Sequence, residues 1–124
     1  MGKARDLAGT TLANGTYTPT LTNGASMTAS TAYVCQWSRV GNTVHVSGKA
    51  DVTMSSGTGS ALSLSLPVAS NFASDGQAGG TWASSSGAAE GRIVADDTND
   101  RITLFGTYSA GSQTVWFTAS YLIV

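Results

Sequence analysis

The stretch Arg39-Val40-Gly41-Asn42-Thr43-Val44-His45-Val46-Ser47-Gly48-Lys49-Ala50-Asp51-Val52-Thr53-Met54 decides the fold. From Val44 onwards, small and apolar residues (Val44, Val46, Gly48, Ala50, Val52, Met54) alternate strictly with polar ones (Thr43, His45, Ser47, Lys49, Asp51, Thr53). A period of two is that of a strand with one face buried, and Gly41-Asn42 is a tight turn joining it to the preceding segment. The preceding segment, from about Thr31 to Val40, is read as the partner strand, with Tyr33, Cys35 and Trp37 on one face. The two together form a hairpin.

The same pattern recurs outwards from this hairpin. Thr16 to Thr22 reads as an edge or bent strand because it contains Pro19. Asn23-Gly24 reads as a turn. Leu62, Leu64 and Leu66 alternate and stop at Pro67, and Val68 to Gly79 reads as a connection. Weaker strands are expected over Gly80 to Ser86 and Ala89 to Ala95, then stronger ones over Arg101 to Tyr108 and Gln113 to Val124. With turn signals roughly every ten residues and no helical periodicity, the chain is expected to be all-β. The expected architecture is an antiparallel β-sandwich or jelly roll of about eight strands over 15–124, preceded by a short N-terminal arm, 1–14.

Composition agrees with this reading and removes several functions. The chain has 124 residues and a formal net charge of −1, and only 10% of its residues are charged. Six Lys and Arg in all are too few for a phosphate-neutralising surface, so no nucleic-acid partner is expected. No apolar run reaches about 18 residues, so no membrane insertion is expected either. The N-terminus lacks the apolar stretch of a secretion signal. Leu, Ile, Val and Phe number only 23, whereas Ser and Thr number 17 each and Gly 15. A core of this size is thin for a lone chain, and the last strand carries apolar residues on both faces, so association with further copies is expected.

Candidate chemistry is sparse. His45, the only histidine, falls on the polar side of its strand, and no nucleophile elbow accompanies it. Asp51, Asp75 and Glu90 are scattered and make no evident glycosidase pair. The chain is therefore not expected to be an enzyme. Asp96-Asp97-Thr98-Asn99-Asp100 is the only dense acidic cluster, but it lacks EF-hand spacing and reads as a tight turn, so no metal or other cofactor is expected. Cys35, the only cysteine, reads as a small buried hydrophobe. The large rings have two readings. Packing within the sandwich or between copies is the favoured one. A sugar-stacking platform is the other, with Trp82, Trp116 and Tyr108 as its candidates.

Several segments in order resemble the C-terminal domains of bacteriophage tail-fibre proteins. They are Gly15 to Asn23, the hairpin Arg39 to Gly48, Leu66-Pro67-Val68-Ala69-Ser70-Asn71-Phe72, the acidic turn Asp97 to Arg101, and the terminal strand Thr114 to Tyr121. The resemblance spans 15–124 and carries no shared catalytic residues. It implies a virion structural protein, a homotrimer, that attaches to host-surface glycan or protein. The opening Lys3-Ala4-Arg5-Asp6-Leu7-Ala8 resembles segments that precede such domains. It makes Lys3, Arg5 and Leu7 candidates for attachment to other virion proteins. Tail fibres carry an anchoring region and a shaft where this chain has about 14 residues. The expectation is therefore a short stand-alone fibre, a fibre tip held by another protein, or a capsid decoration protein that stabilises the shell.

Overall fold

The computed structural model describes residues 11–86 and 89–124. Its strands are β1 (Leu12–Tyr17), β2 (Leu21–Thr22), β3 (Met27–Ala32), β4 (Cys35–Val40), β5 (Thr43–Met54), β6 (Thr58–Leu64), β7 (Ala78–Ser84), β8 (Glu90–Asp96), β9 (Arg101–Tyr108) and β10 (Gly111–Leu122). All pairings are antiparallel, as expected. The strands form one sheet in the order β1-β4-β5-β10-β7-β8-β9-β6-β2, with β3 also on β5, and the sheet curls into a half-barrel.

The strands number ten among the described residues instead of about eight, because two expected strands are each divided. Pro19 has no N–H to give a ladder, and it lies buried between β1 and β2, which pair at opposite edges of the sheet. The segment expected over Thr31 to Val40 breaks at Tyr33-Val34. This break lets β3 pair with Ala50–Met54 of β5 and β4 with Thr43–Ser47. Cys35 then turns inward, where a Cβ at Gly48 would come within 2.8 Å of its own Cβ. Cys35 is fully buried, and burial pushes its thiol pKa up. Tyr33 does not share that buried face as the alternation suggested. It stands on the outside of the sheet.

The expected division at residue 14 also shifts. Leu12, Ala13 and Asn14 are ladder residues opposite Val40, Arg39 and Ser38, so β1 begins inside what was read as the arm. Lys3, Arg5 and Leu7, the attachment candidates, lie outside the described residues.

One core fills the curl. β5 contributes Val44, Val46, Ala50, Val52 and Met54, and β10 contributes Val115, Phe117, Ala119 and Tyr121. Leu62, Leu64, Ile93, Ile102 and Leu104 come from the strands facing them. Ala50, Ala95 and Ala119 also take inward positions and are buried in this core. The connection after β6 closes one end. The Tyr121 hydroxyl donates to the Val68 carbonyl at 2.6 Å and accepts from the Val68 amide at 3.1 Å, and Phe72 meets the Tyr121 ring edge-on.

Among the described residues one buried side-chain polar atom is unmatched. None of them hydrogen-bonds the Tyr17 hydroxyl, and burial pushes its pKa far up. Leaving such a group unpaired costs about 1–3 kcal/mol. Tyr17→Phe is therefore expected to leave stability unchanged or raise it by about 1 kcal/mol. A urea unfolding curve checks this, and a clear loss of stability would show that the hydroxyl is matched in solution.

Candidate binding face

The outer face of the sheet is built by the odd partners of the core. Along β10, Val115, Phe117, Ala119 and Tyr121 point inward, so Thr114, Trp116, Thr118 and Ser120 point outward. Trp116 is 51% exposed. Its register neighbours are Lys49 on β5 and Ala83 on β7, and Ala83 in turn pairs with Glu90 on β8. Small residues on β7 leave a hollow beside the indole. It is an open cavity of about 550 Å³, lined by Trp116, Thr81, Ala83, Glu90 and Thr118 with the backbone around Trp82, Gly91 and Phe117.

Two more exposed rings share this face. The Lys49 ammonium lies 4.7 Å from the centre of the Tyr33 ring, and the Arg92 guanidinium lies 5.4 Å from that of Phe105. Among the described residues the one ion pair within 4 Å is Arg101–Asp96, and the Lys49 charge acts on the nearby Asp51 carboxylate. Asp51 accepts hydrogen bonds from the Tyr33 and Thr114 hydroxyls, each at 2.7 Å. These two donors, the Tyr33 bond first, hold its carboxyl below the usual carboxylate range, and the Lys49 charge adds to them. His45 Nε2 lies 3.2 Å from the Thr118 hydroxyl, its only side-chain hydrogen-bond partner among the described residues.

Of the three rings singled out from sequence, Trp116 alone is presented to solvent. Trp82 is 3% exposed and Tyr108 not at all, and the two rings stack on each other at 4.3 Å and 20° inside the core. The Trp82 indole N–H donates to the Phe105 carbonyl at 2.9 Å, and the Tyr108 hydroxyl donates to the Leu104 carbonyl at 2.6 Å. Both rings are therefore corrected from binding candidates to core residues. The scarcity of bulk around Trp82, whose sequence neighbours are glycine, alanine, threonine and serine, is what lets it be buried. Gly91 and Gly106 lie opposite it in the ladder, and the indole lies flat across their backbones to reach β9.

Tyr33, Phe105 and Arg92 were not anticipated at the site. Tyr33 leaves the face that alternation predicts because the strand break beside it leaves no mark in the sequence pattern. Phe105 and Arg92 follow from β8 and β9 once their inward residues are known, since both alternate with buried or glycine positions. An exposed apolar row lies farther along the same face, with Leu12 opposite Val40, Val40 opposite Thr43, and Thr43 opposite Leu122.

The acidic turn is occupied by its own backbone. Asp96 Oδ1 accepts the Thr98 and Asn99 amides, and Oδ2 accepts the Arg101 Nε–H at 2.7 Å and the Asn99 side-chain amide at 3.0 Å. Asp100 Oδ1 accepts the Phe72 amide at 2.8 Å. No group of three or more metal-ligating side chains is found among the described residues. Burial alone would raise the Asp96 pKa, but the bonds from Asn99, Arg101 and Thr98 outweigh it and hold the carboxyl below its ordinary value. A lowered folded pKa means that the stabilisation is present above the unfolded value, about 3.9, and is lost as pH falls through the folded one. Asp96→Ala is expected to cost about 1–2 kcal/mol at neutral pH and progressively less in acid. Unfolding curves of both proteins at pH 7 and in strong acid check this, and a constant gap would show that the charge contributes nothing.

Comparison with known protein families, with curated proteins and with solved structures returns no significant match.

Proposed function

We propose that this chain is a non-catalytic binding module of a bacteriophage virion, a tail-fibre domain that holds host-surface glycan against Trp116. The observation that carries the binding reading is this half-exposed indole at the rim of an open cavity whose other walls offer Thr81, Thr118 and Glu90. An apolar sugar face packs on an aromatic ring while its hydroxyls bond to polar neighbours, and a large ring left in water without such a task loses its hydrophobic gain. The ordered resemblance of the segments between Gly15 and Tyr121 to tail-fibre domains supplies the biological setting. A homotrimer attached through its N-terminal arm would multiply weak contacts into firm adhesion.

A purified sample tests the reading on cells. Wild-type protein is expected to bind bacteria bearing complete lipopolysaccharide, and Trp116→Ala is expected to weaken each contact about thirtyfold, roughly 2 kcal/mol. Because the ring is on the surface, the variant's stability should stay within about 0.5 kcal/mol of wild type. Equal adhesion by both proteins would remove Trp116 from the function.

A second reading, a decoration protein that binds and stabilises the capsid shell, is favoured by the exposed apolar row of Leu12, Val40 and Leu122. Association through that row would cover the outward side of the last strand. Retention on empty capsids, with no adhesion to cells, would select it.

A further inference from the structure

Going beyond the Trp116 platform, we infer that the outer face carries a second, separate ligand site, a cavity of about 480 Å³ over β8, β9 and β6 that takes one uncharged sugar ring. Its volume falls within the roughly 300–1,000 Å³ of small-molecule sites. A buried hydroxyl pair on its floor and the groups around its rim carry the inference.

Ser63 and Thr103 face each other across β6 and β9 on the outward side of the sheet, yet they are only 6% and 4% exposed. Their hydroxyls lie 3.0 Å apart, and no other hydrogen bond of either is found among the described residues. Two hydroxyls bonded to each other use one of their two hydrogens, so one buried O–H is left to donate into the cavity that both line. Leaving it unmatched is unfavourable, and an acceptor atom of a ligand satisfies it.

The rim is prebuilt. The turn after β2 is pressed onto β6: a Cβ at Gly24 would fall on the Ala61 carbonyl oxygen, and the Ala25 carbonyl accepts from the Ser60 hydroxyl at 2.6 Å. Asn23 in this turn accepts from Ser30 through Oδ1, and its side-chain N–H groups face no acceptor among the described residues. Phe105 and Arg101, four residues apart on the outward side of β9, close the two ends. Arg101 donates from Nε to Asp96 and from Nη1 to the Thr22 hydroxyl, which leaves Nη2 as a further donor. Asp75 and Asp97 supply carboxylate oxygens and take part in no ion pair among the described residues.

Fixed donors, fixed acceptors and one aromatic wall complement a ring with hydroxyls on its edge and C–H groups on its face. The charges disfavour an acidic ligand. Three carboxylates stand here against the one guanidinium of Arg101, and Arg92 rests over the Phe105 ring outside the lining.

The test is an NMR titration of the full chain with the methyl glycosides of glucose, galactose, mannose and rhamnose, beside glucuronate and galacturonate. At least one neutral glycoside is expected to shift the Asn23 side-chain amide and the Arg101 Nε–H, and the uronates to bind about tenfold more weakly or worse. Ser63→Ala/Thr103→Val removes both partners of the hydroxyl bond and strands neither, so it should fold normally and weaken binding about tenfold. Asp97→Ala, at an exposed position, should weaken it similarly with no change in unfolding midpoint. Trp116→Ala should leave these shifts unchanged. A trisaccharide ending in the same sugar should bind as the methyl glycoside does if the source is a glycan end, and more weakly if it is a free monosaccharide; both results support a one-ring site. No shift at Asn23 and Arg101 with any neutral glycoside, uronates binding as tightly, or binding that neither variant weakens would overturn this inference and leave the Trp116 reading to its own adhesion test. Loss of the shifts in Trp116→Ala would overturn the separateness of the two sites.

Discussion

Trp82→Ala is expected to destabilise the protein by about 3–5 kcal/mol, a large part of the 5–15 kcal/mol that holds a typical domain together. The indole is the largest side chain between β7 and β9, and truncating it removes three things together. It removes the stack on Tyr108 and the hydrogen bond to the Phe105 carbonyl. It also leaves a void above Gly91 and Gly106 that no neighbouring side chain can fill, because neither glycine has one. The Tyr108 ring, itself fully buried, loses its partner and its packing. Urea unfolding measures the loss, and a change below about 1 kcal/mol would mean that the ring is not in the core.

Gly91→Ala attacks the same arrangement from the opposite side. A Cβ at this position would fall on the Phe105 carbonyl oxygen, within 2.6 Å of the Trp82 indole nitrogen and 2.9 Å of the Gly106 Cα. Two of these neighbours are backbone atoms of the adjacent strand, so relief requires the β8–β9 ladder to separate locally. Overpacking of this kind costs about 1–3 kcal/mol, and more where the backbone itself must move. The two substitutions share a partner and will not add. With Trp82 already truncated, the clash with the indole disappears and the one with the Phe105 carbonyl remains. The double variant is therefore expected to be more stable than the sum of the single losses. Strict additivity in a double-mutant cycle would show that Gly91 is required for reasons unrelated to the ring.

These two residues also show where sequence reading succeeds and where it stops. Thr43–Met54 and Arg101–Tyr108 have the bounds that alternation and turn residues predict. In both, one face carries only apolar residues and a single glycine, and a period of two has a single interpretation. Around Trp82 the neighbours are glycine, alanine and serine, which carry no periodic signal. The packing that buries the ring comes from Gly91 and Gly106, nine and twenty-four positions further along the chain. Only strand order reveals that they lie side by side, and strand order is a property of the whole sheet. Tyr33 fails for a local reason: the break between β3 and β4 changes the face of a residue without changing the pattern around it. Trp116 was legible because Val115, Phe117 and Tyr121 fix the inward face of its strand and leave the indole on the other.

The exposed side of the last strand therefore has a different character from its buried side. The buried side is complete within one chain. The outer side keeps Trp116, Leu122 and Val124 in solvent, and these are the residues whose exposure calls for a ligand or another protein surface.

NMR of the Trp82 and Trp116 indole N–H signals, with and without surface polysaccharide, tests the binding face most directly. The Trp82 N–H, bonded to the Phe105 carbonyl, is expected to be strongly protected from exchange and unmoved by the ligand, whereas that of Trp116 is expected to exchange fast and to shift on binding. A protected Trp116, or a ligand-induced shift at Trp82 with none at Trp116, would contradict this.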